Sequence, residues 1–428
     1  MTTITTLTTT TTLDEKRPAV YHEELLIEQR QNAWTTSRAV QTTQTANTPS
    51  PTQRALLLHA AQQPYSLVTD HAMPTLLHKD EILIKVTAIG LNPIDWKGPA
   101  FNFGIPSLPW VNGRDLAGIV VQAPETTGSR LRKGDLVLVP STDYRDIRKA
   151  AFQEYAVATH FNAARIPASS CAHAAASVGV AFVAAILALG VSFGVDFSSI
   201  AQCPGPNLVD VLGNVDKGTI PADVRDECFA SAEGIERPKK GDWIAIWGAS
   251  TTTGLLTLQI ARLAGLKTIC VADIARHGSR LHAAGADILI DRHDTTRALE
   301  IIRGVTGNNL RYAIDIVGRE TSTLLQSALN AEIRADGSHA HLLGLTGLPK
   351  GEQRDARIVY HTVPIKLFHS SPEVGEAMVL WLEGLLETGT LALPEIVRAE
   401  GGLEGVNEAL EVLRRGDASG KRIVLSLE

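Results

Sequence analysis

Residues 241 to 273 read GDWIAIWGASTTTGLLTLQIARLAGLKTICVAD. Trp243 to Trp247 is a short apolar run with β-branched content, entered through Gly241 and Asp242, as expected of a strand buried in a parallel sheet. From Gly254 onward, Leu255, Leu258, Ile260, Leu263 and Ala264 recur at helical spacing, and Gly265 supplies the stop. Lys267 to Ala272 is a second apolar run that ends on Asp273. Strand, tight turn, helix and strand in succession make half of a dinucleotide-binding unit, with Asp273 about where an acidic residue meets the adenosine ribose.

The turn departs from a glycine fingerprint. Ala249, Thr251 and Gly254 stand where G-x-G-x-x-G would place three glycines, and only the last, the one needed for close helix-to-strand packing, is kept. Ser250, Thr251, Thr252 and Thr253 fill the loop with hydroxyls that can donate to a pyrophosphate beside the free N–H groups of the helix start. Read from these residues alone, an ordinary α/β turn with capping hydroxyls fits equally well.

With 428 residues and 44% hydrophobic composition, the chain can bury two substantial cores. Its formal charge of -6 is spread without a basic block, which argues against nucleic acid or an anionic membrane as partner and points to small molecules. The longest apolar stretch, 174–191, is alanine-rich and reads as a buried helix rather than a membrane span. The four cysteines, Cys171, Cys203, Cys228 and Cys270, lack C-x-x-C pairing, which suits a reducing compartment. No charged segment precedes an apolar one near the start, and Asp14, Glu15, Glu23 and Glu24 do not suit a mitochondrial presequence, so cytoplasm is the expected location.

Along the chain, residues 1–53 are a threonine-rich, low-complexity extension expected to be disordered. Short strand-like segments at 55–59, 81–88, 116–121, 135–139 and 155–158, broken by Gly and Pro, suggest an antiparallel barrel. From about 174 the pattern alternates helices with strands at 243–247, 267–272, 288–290, 311–317 and 341–345, which predicts a doubly wound sheet. Residues 192–240 interrupt it as an insertion, expected to be functional or flexible because of its length. Two helical pieces within 373–413 and an alternating strand at 421–427 complete the chain, and that strand is expected to return to the first domain.

The strings GLNPIDWK (90–97), GRDLAGIVV (113–121), KGDLVLV (133–139), WGASTTTG (247–254), NNLRYAIDIVG (308–318) and SGKRIVLSLE (419–428) together resemble the medium-chain dehydrogenase/reductase superfamily. Within it they look like the zinc-free quinone oxidoreductase and enoyl reductase branch, and more narrowly like fungal stand-alone enoyl reductases of polyketide pathways. The resemblance implies an α/β fold: a GroES-like antiparallel β-barrel domain, expected over 54–175 and again over 349–428, plus a doubly wound Rossmann domain over 176–348. It also implies a zinc-independent, NAD(P)H-dependent reductase acting on the activated C=C bond of an enoyl thioester, enone or quinone. A nucleotide-binding protein without chemistry is the alternative, since fold does not fix function.

Zinc-dependent relatives carry a cysteine where this chain has Leu91-Asn92-Pro93 and Gly-His-Glu where it has Gly113-Arg114-Asp115; the four cysteines are too dispersed for a thiolate site, so no metal is expected. In the resembled reductases the NPxDWK loop borders the nicotinamide, which maps here to Asn92, Asp95, Trp96 and Lys97. Lys97 is the candidate donor to an acceptor carbonyl. Related thioester reductases place a tyrosine, a proposed proton donor, where this chain has Phe103, which cannot donate. Gly344, Leu345 and Thr346 fall where backbone groups face the carboxamide, Val180, Val183 and Ala184 match a cofactor-side helix, and Lys366 to His369 could line the substrate mouth. Asp273 alone favours NAD, whereas Arg276, His277 and Arg280 just beyond it suit a 2′-phosphate; the resemblance favours NADPH with Arg276 as phosphate ligand, and NADH as the alternative. The expected partner is a small-molecule or carrier-bound acyl substrate, and the expected state a monomer or a homodimer paired through an edge strand at 339–345.

Overall fold

The computed structural model describes residues 51–126, 128–231 and 237–427, within the unit Ser50–Glu428. The expectations for residues 1–50 lie outside the described residues. Eight strands come first: β1 (Thr52–Leu58), β2 (Ser66–Ala72), β3 (Glu81–Gly90), β4 (Trp110–Val111), β5 (Asp115–Gln122), β6 (Leu136–Val139), β7 (Tyr155–Thr159) and β8 (Ala164–Arg165). β3 carries nine buried residues out of ten, so it sits centrally, pairing antiparallel with β5 on one side and β7 on the other. Between β3 and β4 lies the helix Pro93–Phe101, which sequence periodicity did not announce; the Asp95 side chain closes its start by accepting the Asn92 N–H.

The second sheet is parallel throughout, with strands β9 (Trp243–Trp247), β10 (Lys267–Ala272), β11 (Ile288–Asp291), β12 (Tyr312–Asp315), β13 (Ala340–Gly344) and β14 (Ile358–His361) in the order β11-β10-β9-β12-β13-β14. Ile244, Ile246, Cys270 and Ala272 enter one buried cluster while Ala245, Trp247, Ile269 and Val271 enter another. This two-residue alternation with both faces covered explains the continuous apolar runs. The order reverses beside β9, which opens the ligand crevice of such sheets at the carboxyl ends of β9 and β12.

Three expectations need correction. The parallel sheet takes its sixth strand from Ile358–His361, beyond the expected boundary at 348. The edge at that side is therefore β14, and the 339–345 segment expected to pair between subunits is internal, between β12 and β14. The single helix expected over 174–191 is two, Ala172–Ala176 and Gly179–Leu187, followed by a wide turn at Ala188–Ser192. The break falls at Gly179, where φ is +52°, and a Cβ there would stand 1.9 Å from the Asp115 carboxylate.

Within the insertion, the helices Leu208–Gly213 and Ala222–Ala230 are packed rather than loose: Phe197 stacks on Trp381 at 4.8 Å, and the Trp381 indole donates to the Cys203 carbonyl at 3.0 Å. Trp381 belongs to the first of the two expected C-terminal helices, Pro372–Glu387; the second is Val406–Arg415. The chain then returns as expected. β15 (Ile396–Ala399) pairs parallel with β16 (Arg422–Ser426), which pairs antiparallel with the end of β3, Val424 opposite Gly90.

Candidate active site

At the carboxyl end of β9 the turn enters the helix Thr252–Leu263. Gly254 permits a contact that no side chain could: a Cβ there would lie 2.4 Å from the Gly248 carbonyl. Thr251 caps the helix, donating its hydroxyl proton to the Gly248 carbonyl at 2.8 Å and accepting the Gly254 N–H at 3.0 Å. The only proton of the Thr251 hydroxyl is thus committed inside the turn. The hydroxyls of Ser250, Thr252 and Thr253 form no hydrogen bond as donors among the described residues, and the first-turn N–H groups of Thr252 and Thr253 have no intrahelical acceptor. That donor set fits a pyrophosphate.

Asp273, after β10, caps the helix Ile274–Ala283 through the Arg276 N–H at 3.2 Å, and the Arg276 guanidinium stands 3.6 Å from its other oxygen. Arg276 is 70% exposed, so its side chain can turn toward a ligand. Its two basic neighbours are differently placed. His277 is buried against the Ser419 hydroxyl at 3.1 Å, and Arg280 donates to the carbonyls of Gly420 and Ser250, so neither is free to hold a phosphate. At the end of β13, the Leu345 N–H is taken by the Asp315 carbonyl at 2.8 Å and the exposed Thr346 donates to the Ile316 carbonyl at 3.4 Å, beside the buried Gly344.

The barrel contributes a second constellation where β3 ends and β5 and β16 begin. Asn92 donates from Nδ2 to Asp115 Oδ2 at 2.7 Å, Arg422 Nη2 donates to Asn92 Oδ1 at 2.7 Å and also to Asp115, and the Val180 N–H donates to Asp115 Oδ1 at 2.7 Å. Burial pushes the Asp115 carboxyl up to about 6, against the pull of Arg422, Asn92 and Val180. Asp95, also buried, accepts the Asn92 N–H at 2.8 Å and is raised by burial to about 7. Its backbone carbonyl accepts the Tyr65 hydroxyl at 2.7 Å. Asn92 and Asp95 are thus saturated inside the protein.

Lys97, one residue past Trp96 on the same helix, is half-buried, with its ammonium 5.7 Å from the Trp96 ring centroid and no carboxylate partner among the described residues. Asp115 and Arg422 were legible only as members of strings; a charged residue inside an apolar strand end was the signal. Lys366 and His369 fall on a short helix, Lys366–Ser370. Lys366 bonds Asp223 of the insertion at 2.8 Å, and His369 Nε2 lies 3.4 Å from the Ser141 hydroxyl, with burial pushing its imidazole down to about 3.

Among the described residues, Asp273, Asp291 and His293 form a set with ligand atoms within 4.8 Å, but Asp291 and His293 are exposed and hydrogen-bonded to each other at 2.8 Å. Leu91 is fully buried, and Asp115 is paired with Arg422.

Residues 78–168 match the alcohol dehydrogenase GroES-like domain. The trans-enoyl reductase eqxC of Fusarium heterosporum is 28% identical over 81% of this chain and 92% of the relative, and buaC of Petromyces alliaceus, another trans-enoyl reductase, is 27% identical over 87% and 97%. The chain is thus similar over most of its length to trans-enoyl reductases, and its residues 78–168 to the GroES-like domain of alcohol dehydrogenases. Solved structures share its fold: an alcohol dehydrogenase superfamily protein from Novosphingobium aromaticivorans superposes at TM-score 0.65 and 19% identity, covering 88% of this chain and 100% of that one. The CurK enoyl reductase superposes at TM-score 0.63 and 15% identity, covering 87% and 99%, and a mycobacterial protein complexed with NADPH at 0.64 and 18%, covering 87% and 99%.

Proposed function

We propose that this oxidoreductase is a zinc-independent reductase that uses NADPH to saturate the activated C=C bond of an enoyl thioester, carried on a small thiol or an acyl carrier. The observation that carries the reading is the helix Gly179–Leu187. It is anchored at its start by Asp115 beside Asn92 and lies along the helix Thr252–Leu263, so one rigid element joins the NPxDWK loop to the dinucleotide turn. Reduced nicotinamide supplies the hydride when bound. The Thr252 and Thr253 N–H groups, with the Ser250, Thr252 and Thr253 hydroxyls, hold the pyrophosphate. Arg276 takes the 2′-phosphate, with Asp273 turned to the ribose. Leu345 and Gly344 border the carboxamide side.

Lys97 donates to the thioester oxygen as charge develops there, a contribution that a preorganised cation makes in place of a metal. The capped Asn92 and Asp95 position Lys97 rather than touch substrate. Turnover of NADPH with a panel of enoyl thioesters, enones and quinones tests the reading, followed as loss of reduced-nicotinamide absorbance. Activity confined to quinones would move the substrate class. Tight NADPH binding with no turnover on any member would favour the non-catalytic alternative, which the filled fingerprint and Phe103 leave as the competing reading.

A further inference from the structure

Phe103 leaves the proposed enoyl reduction without a phenolic proton donor at the place where related reductases carry one. A different tyrosine, Tyr144, stands one side chain away from the segment that carries Phe103. Phe103 follows the helix that carries Lys97, and its N–H bonds back to the Gly98 carbonyl at 3.1 Å. At the next residue, Gly104, a Cβ would lie 3.7 Å from a terminal nitrogen of Arg114. The same guanidinium covers the ring of Tyr144, with its carbon 4.4 Å from the ring centroid. Arg114 is therefore a bridge: Gly104 on one side and Tyr144 on the other stand within contact of one side chain. Tyr144 lies in the loop after β6, held from behind by Thr142, whose N–H and hydroxyl bond the Arg114 and Gly113 carbonyls, each at 2.7 Å. Its neighbours Asp143 and Arg145 are locked to each other by two hydrogen bonds of 2.8 and 2.9 Å. Tyr144 itself is half-buried, and its hydroxyl has no hydrogen-bond partner among the described residues.

We propose that Tyr144, held against Arg114, is the proton donor of this enzyme and takes the part of the tyrosine missing at Phe103. The inference rests on the enoyl-thioester reading. Hydride from the reduced nicotinamide adds to the β-carbon of the substrate, the C=C electron pair moves to give an enolate, and the Tyr144 O–H bond breaks to place its proton on the α-carbon. The phenolate left behind lies against the Arg114 guanidinium, which stabilises the negative charge, and water returns the proton to it. Tyr65, Asp95, Asp115, Asp143, Arg145 and His369 are the other titratable groups around Arg114 and Tyr144.

Tyr144→Phe, assayed with NADPH and an enoyl thioester that the wild type reduces, should lose about 10²-fold or more in kcat, the usual worth of a general acid. NADPH affinity by fluorescence titration should stay unchanged. In deuterated water the wild type should place deuterium on one face of the α-carbon, and the variant should place it on both. The double variant Phe103→Tyr/Tyr144→Phe should regain rate and facial selectivity. A Tyr144→Phe enzyme with wild-type rate and selectivity overturns the proposal while leaving enoyl reduction standing, whereas a wild type that reduces no enoyl thioester overturns the reading beneath it. Should Tyr144→Phe fail to fold, Tyr144→His, which keeps a proton donor, decides: retained one-faced deuteration supports the role, and a loss of selectivity in a folded enzyme rejects it.

Discussion

Arg422, on the last strand, meets Asp115, which opens β5, in an ion pair that is almost fully buried, with side chains 5% and 0% exposed. The pair is completed by Asn92 and the Val180 N–H, so it ties together the end of β3, the start of β5, the returning strand β16 and the helix Gly179–Leu187. Removing Arg422 strands the Asp115 carboxylate and the Asn92 amide oxygen in a dry site. Arg422→Ala should therefore destabilise the protein by about 3–5 kcal/mol, as loss of one partner of a buried pair does. Urea unfolding measures it; a change under about 1 kcal/mol would mean that water reaches the site.

Arg276 is the exposed cation beside Asp273, and its neighbours His277 and Arg280 are committed to Ser419 and to two backbone carbonyls. If Arg276 grips the 2′-phosphate, Arg276→Ala should weaken NADPH by about 1.5–3 kcal/mol and leave NADH nearly untouched, with the lower end favoured by its exposure. Calorimetric titration with both cofactors reads this directly. Equal losses for the two, or a wild type that prefers NADH, would return the assignment to Asp273.

Acid should loosen the sheet beside the insertion. His341 Nδ1 lies 3.0 Å from His361 Nε2, whose Nδ1 contacts Glu227 at 3.0 Å, and His341 stacks on Tyr312 with 5.5 Å between ring centroids. Burial and the neighbouring His361 push His341 down from 6.5 to about 3. Between these values the unfolded chain takes up a proton that the folded one refuses. Stability from this group is full above 6.5 and is lost as pH falls toward 3. His341→Phe should flatten the slope of unfolding free energy across that window, relative to wild type. An unchanged slope would place the acid sensitivity elsewhere.

If the proposed reduction is metal-free, prolonged chelation should leave turnover unchanged, since the Asp115 carboxylate is engaged by Arg422 and the four cysteines are dispersed along the chain. The check is metal analysis of the protein alongside activity before and after chelator. Stoichiometric zinc with chelator-sensitive turnover would reject the metal-free mechanism.

Much of the architecture was legible without coordinates. β9 and β10 were read to the residue, because an apolar run bounded by Gly241-Asp242 and by a turn is a property of neighbours in the chain. The helix after the turn and the return of the last strand followed from the same local periodicity, and the strings at 90–97 and 113–121 pointed to the residues around the site. β14, only four residues long, and the helix Pro93–Phe101, which contains two prolines and lacks an amphipathic stripe, gave no such signal.

Sequence by itself determined the kind of sheet and five of the eight barrel strands, since spacing and residue type suffice for each. Only the tertiary structure decided what those residues do. Asp115 and Arg422 are 307 positions apart and meet because β16 pairs with β3 alongside β5. Thr251 spends its proton on Gly248, Gly179 breaks a helix to admit a carboxylate, and Tyr144 reaches Arg114 from another loop. Such contacts depend on distances between segments that folding brings together, and nothing in the local pattern of either partner encodes them.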